Sequence, residues 1–136
     1  MKKAYYTLQE AREILPDIKP ILKELVKCQL KLVVRNNVSL VYEDPFENTK
    51  HFVSSAVESN KIQFNYLKLL ETLFEKGIFV KDPDTGLIDF FSMHEGREIF
   101  LCYKYPEETI SHWHELEHGF ADRQPISTLV NREKHY

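Results

Sequence analysis

Hydrophobic positions recur every three or four residues through the first half of the chain and every second residue through most of the second half. Ile18, Ile21, Leu25, Cys28 and Leu32 follow alternating three- and four-residue steps, the stripe of a helix with one apolar face. Thr7-Leu8-Gln9-Glu10 marks its start as a capping box, in which the threonine hydroxyl and the glutamate carboxylate cover each other's free amides. Pro16 and Pro20 each remove a backbone donor and crowd the preceding turn, so a kink is expected. A second periodic segment, from about Lys50 to Lys76, sets Ala56, Val57, Phe64, Leu67, Leu70 and Phe74 on one face. Gly77 stands where a helix-ending residue of positive φ belongs. The two stripes predict an antiparallel helical pair over about residues 7–77. Between them, Leu32 to Tyr42 is β-branched around Asn36-Asn37, so a short hairpin is an alternative for that stretch.

After Gly77 the period drops to two. Pro83-Asp84-Thr85-Gly86 separates two apolar runs with the residues of a hairpin turn. Arg97 to Tyr105 reads as the next strand, Tyr105 to Glu108 as a turn containing Pro106, and Thr109 to Glu115 as a fourth strand. The class is therefore α+β: a kinked N-terminal helix packed antiparallel on a second long helix, then a small four-stranded antiparallel β-meander. Residues 1–136 read as a single domain, with the meander and a C-terminal strap over about 78–126. Ser127 to Tyr136 reads as a polar, fraying tail.

Composition narrows the partners. With 43% hydrophobic and 29% charged residues, the chain can bury a core without disulfide or metal staples. A net charge of −3 offers no electrostatic case for nucleic acid or anionic lipid. No apolar run approaches the roughly 18–20 residues that span a bilayer. Met1-Lys2-Lys3 has no apolar segment behind it, so no secretory signal is expected. Cys28 and Cys102 are far apart and read as buried, reduced thiols, which suits a cytoplasmic protein.

The candidate chemistry lies in Thr109–Phe120, "TISHWHELEHGF". His114 to His118 spells the H-E-x-x-H of zinc proteases, a motif that works only when both histidines share one face of a continuous helix. Here the preceding residues alternate like a strand, and Gly119 follows His118 at once. On a strand, His112 and His114 share a face while Trp113 and Glu115 take the other. A tight turn at Tyr105–Glu108 would set His112 opposite Leu101, His114 opposite Ile99 and Glu115 opposite Glu98. A loop at Ser92–Gly96 would set Asp89 opposite Ile99. Asp89, His112 and His114 then form a two-histidine, one-carboxylate set, with Glu115 as a further ligand candidate, suited to zinc or iron. Arg97, Glu98, Arg123 and Gln124 make a second polar cluster, in which Arg123 can clamp a carboxylate in two-pronged fashion. The plainer role for these residues is bracing: hydrogen-bonded histidines, Trp113 as core anchor, and an arginine salt bridge. His118 reads as an exposed residue near a turn with no role, and His51, His94 and His135 sit alone and carry no signal.

"YTLQEAREILPDIKPIL" (Tyr6 to Leu22) and "VKDPDTGLIDF…GREIFLCYKY…ISHWHELEHGFADRQPI" (Val80 to Ile126) resemble an uncharacterised bacterial and archaeal family, domain of unknown function 2203. The family's polar positions correspond to Asp82, Asp89, Arg97, Glu98, His112, His114, Glu115, Arg123 and Gln124. The chain departs from the pattern at Phe91, Tyr103, Asp122 and His118. The resemblance implies a small cytosolic protein and no stated activity. No complete catalytic set is present, so whether the chain is an enzyme stays open. A structural or interaction module bearing a polar cluster leads, with a homodimer through the helical pair as its candidate assembly. A metal-binding protein or small metalloenzyme, holding zinc or iron, is the alternative.

Overall fold

The computed structural model describes residues 3–37 and 40–129. Helices α1 (Leu8–Asn37) and α2 (Pro45–Glu75) precede strands β1 (Phe79–Asp82), β2 (Leu87–His94), β3 (Arg97–Lys104), β4 (His112–Glu115) and β5 (Gln124–Pro125). The strands form one antiparallel sheet in chain order, with a 3-10 turn at Phe120–Asp122 between β4 and β5. The α+β class stands, with β5 as a short fifth strand.

Local chemistry sets the helix ends. The Thr7 amide donates to Glu10 Oε1 at 2.9 Å and the Glu10 amide to Thr7 Oγ1 at 3.1 Å, which completes the capping box. α1 runs through Pro16 and Pro20, both on its exposed side, and continues to Asn37. Helix therefore replaces the alternative hairpin over Leu32–Asn37; residues 38 and 39 of that hairpin lie outside the described residues. α2 begins earlier than its apolar period suggested. Asp44 Oδ1 accepts from the amides of Phe46 (2.8 Å) and Glu47 (3.4 Å), and Pro45 fills a first-turn position that needs no donor. At the far end Gly77 takes φ 73°, and the amides of Gly77 and Ile78 donate to Phe74 O and Leu73 O. That pair of bonds is a Schellman ending.

The core joins the helices to one face of the sheet. Ala11, Leu15, Ile18, Leu22 and Leu25 of α1 meet Leu73 of α2 and Ile88, Phe90, Ile99, Leu101, Tyr103 and Trp113 of the sheet. The expected α2 face is only partly correct. Leu70 packs against the core, but Val57, Phe64 and Leu67 are exposed, because Ser55 and Ser59 face α1 instead. Arg35 donates to Ser59 Oγ at 2.9 Å and to Ser55 O at 3.0 Å, so polar bonds tie the outer part of the helical pair together. The tail also differs from expectation at its start. Thr128 Oγ1 accepts from Trp113 Nε1 at 2.8 Å and Leu129 is buried in the core; residues 130–136 lie outside the described residues.

Register is where expectation and structure part most clearly. β2 and β3 join through a tight turn in which Glu95 and Gly96 both have positive φ (53° and 78°), rather than through a loop at Ser92–Gly96. Asp89 consequently pairs with Cys102, three residues along from Ile99. The β3–β4 connection, Tyr105 to Ser111, is longer than a tight turn, so Glu115 pairs with Ile99 rather than Glu98, a shift of one. Likewise His112 pairs with Cys102 and His114 with Phe100. Each shift is odd and inverts facing, so the two cancel. Asp89, His112 and His114 still share the face away from the helices.

Candidate functional site

On that outer face three strands contribute one buried polar side chain each: Asp89 from β2, Cys102 from β3 and His114 from β4, all at most 1% exposed. Their ligand-type atoms lie within 4.8 Å of one another, forming such a metal-competent group among the described residues. The aromatic rings of Phe79, Phe91 and Phe100 flank the cluster, with Phe100 5.3 Å from the His114 ring. The strap after β4 covers the same face. Phe120 lies under the cations of Arg123 (4.2 Å) and Lys104 (4.9 Å), and the Lys81 ammonium donates to His118 O at 3.3 Å.

His114 is held at both ring nitrogens. Nδ1 faces the Glu115 carbonyl at 2.8 Å and Nε2 faces Asp89 Oδ1 at 2.9 Å. A carbonyl and a carboxylate are both acceptors, so the imidazole donates twice and is doubly protonated beside Asp89. Burial alone pulls its pKa down, but the hydrogen bond to Asp89, with help from Cys102 and the Glu115 carbonyl, pushes it up to about 10. Asp89 has a second oxygen, Oδ2, that is buried without a hydrogen-bond partner. Lys81 Nζ lies 3.9 Å from it, near enough to attract and too far to donate.

The other sequence candidates fall around this centre. His112 lies in the row of Cys102 on the same face, outside the three-residue group, with Nδ1 2.9 Å from Ser111 Oγ. Glu115 points to the opposite face and pairs with Arg97 at 3.0 Å, whose guanidinium lies 5.9 Å from the Trp113 ring. Glu98 pairs in register with Met93, and its carboxylate is held by the Tyr5 hydroxyl and by Lys3 at 3.6 Å, so there is no Glu98–Glu115 pair. Arg123 grips Glu107, not Glu98 or Glu115, through two contacts of 3.0 Å. Burial works against the Glu107 charge, yet Arg123 and the Lys104 amide hold its pKa below the usual range. Gln124 is half-buried on β5 opposite Trp113. Asp82 closes the first hairpin by accepting from the Asp84 amide and Thr85 hydroxyl, each at 3.1 Å. The H-E-x-x-H segment is a strand followed by a turn, with His114 buried and His118 exposed, so it has no helical zinc-protease geometry. His94, read as silent, is buried on the helix side of β2 with Nε2 3.5 Å from Glu95.

Cys102 and Lys81 were missed as members of the site. Cys102 alternates with Phe100 in "REIFLCYKY", so a correct register would have placed it between Asp89 and His112. Lys81 sits at an irregularity in the β1–β2 pairing between Val80 and Asp82, which period-two reasoning does not anticipate.

Fold and site together define a small α+β protein with an Asp–Cys–His cluster sealed beneath a strap on the outer face of its sheet. Among the described residues, no helix is long and apolar enough to cross a membrane. The chain belongs to the family described as "Uncharacterized conserved protein (DUF2203)", whose model matches residues 4–126. No curated protein and no solved structure matches the chain.

Proposed function

We propose that this protein binds a divalent metal ion of the zinc type through Asp89, Cys102 and His114. The observation that carries the proposal is the set of three buried donor atoms within 4.8 Å of one another, beside a carboxylate oxygen without a hydrogen-bond partner. A thiolate, an imidazole and a carboxylate are the donor types zinc accepts, and three protein donors leave a fourth position for water or substrate. The Glu115 carbonyl already holds His114 Nδ1–H, the outer contact that fixes a ligand imidazole; on metal binding Nε2 would give up its proton and exchange its 2.9 Å bond to Asp89 Oδ1 for the metal. Cys102 replaces His112 in the two-histidine set expected from the sequence; the thiol tips the preference from iron toward zinc. A reduced thiol ligand also fits a cytoplasmic protein.

The test is metal content and cobalt spectroscopy on protein purified without an affinity tag. Stoichiometric uptake of Zn²⁺ or Co²⁺ is expected, with a thiolate-to-cobalt charge-transfer band that disappears in Cys102→Ser and survives in His112→Ala. Folded, metal-depleted protein that takes up neither ion overturns the proposal and leaves Asp89 and His114 as an ion-pair brace for the sheet.

A further inference from the structure

α2 carries a second apolar stripe on the side away from α1. Phe46, Val53, Val57, Phe64 and Leu67 are all about half or more exposed, Phe46 reaching 72%. They recur with heptad spacing, and Lys50, Asn60 and Glu71 fill the remaining seam positions. The inward side of the same helix, by contrast, presents Ser55 and Ser59 to Arg35 and Leu73 to the core. A helix uses one stripe to fold; a second one at coiled-coil spacing has the form of an interface.

We propose that this seam pairs with α2 of a second copy of the chain, in antiparallel orientation, about a twofold axis near Glu58 and Ser59. The seam's own charges decide the orientation. In a parallel pair each seam residue faces its own counterpart, which would bury Lys50 against Lys50 and Glu71 against Glu71. The antiparallel pair sets Val53 against Phe64 and Val57 against Asn60 in its central layers, each twice by symmetry. Further out, Leu67 covers the aliphatic stem of Lys50, and Glu71 lies beside Phe46 within reach of the Lys50 ammonium. On the flank, Glu47 meets Lys68, whose present partner is Glu71 in its own helix at 3.2 Å. Covering five half-exposed large side chains on each of two copies removes on the order of 1,000 Å² from water, the lower end for a specific interface.

Sedimentation velocity of the full chain, from low to high micromolar concentration, should show a dimer. Phe64→Glu should leave only monomer with helix content unchanged by circular dichroism, since Phe64 is exposed and plays no part in the core. Phe52→Glu, equally exposed but off the seam, should stay dimeric. Val53→Cys mixed with Phe64→Cys should cross-link as a heterodimer on oxidation, while neither variant cross-links alone. A wild type that stays monomeric, a Phe64→Glu variant that still dimerises, or single-cysteine variants that cross-link with themselves each overturn the antiparallel pair. None of these outcomes depends on metal at the Asp89 cluster.

Discussion

Replacing Asp89 by asparagine in metal-depleted protein removes the charge opposite His114 while keeping the shape of the side chain. In the wild type the imidazolium is buried and satisfied at both nitrogens, with its pKa raised from 6.5 to about 10. Breaking a buried ion pair by deleting one partner costs about 3–5 kcal/mol. Asparagine softens the loss, because its amide can donate to Nε2 of a neutral ring whose Nδ1–H stays on the Glu115 carbonyl. The expected cost at neutral pH is therefore at the low end, about 3 kcal/mol.

The pH dependence gives the sharper readout. A histidine whose folded pKa is raised stabilises the fold fully below its unfolded value of 6.5 and loses that contribution as pH climbs toward about 10. Urea unfolding across that window should show wild-type stability falling with pH and Asp89→Asn nearly flat, with m-values unchanged. Equal slopes in both proteins, or a His114 ring that titrates near its ordinary value by nitrogen NMR, would refute the charged-pair account. Zinc-loaded wild type should lose the fall and instead gain stability as pH rises, since its ligand imidazole and thiolate have given up protons that the unfolded chain still binds.

Three further substitutions probe the frame around the site. Gly77→Ala places a Cβ 2.5 Å from Ala4 Cβ at a φ of 73°, and should cost about 3 kcal/mol in a denaturant titration. Thr7→Ala removes the hydroxyl that caps Glu10 and should cost about 1 kcal/mol by thermal melting. Arg123→Ala frees Glu107 and uncovers Phe120, so limited proteolysis should cut the strap between Gly119 and Gln124 faster; an unchanged rate would mean that the Arg123–Glu107 clamp does not hold the strap.

Much of the fold is written locally. Thr7 and Glu10 mark a helix start, Gly77 a helix end and Gly86 a hairpin, because caps and turns depend on residues a few positions apart. Asp44-Pro45 is an equally local signal for the start of α2, overshadowed by the apolar period that begins later. The face of α2 was less legible: two stripes overlap on it, and only packing against α1 distinguishes Ser55 and Ser59 as inward from Phe64 and Leu67 as outward.

The chain's order of residues by itself determined that His112 and His114 share one side of a strand, because alternation along an extended backbone needs no partner. What stands opposite them was decided by the tertiary structure. Strand pairing depends on loop lengths and on the two positive-φ residues at Glu95–Gly96, and each shift of one residue inverts a face. Only after β2, β3 and β4 are aligned does Cys102 come between Asp89 and the histidine row, and only after the strap folds back is that cluster removed from water.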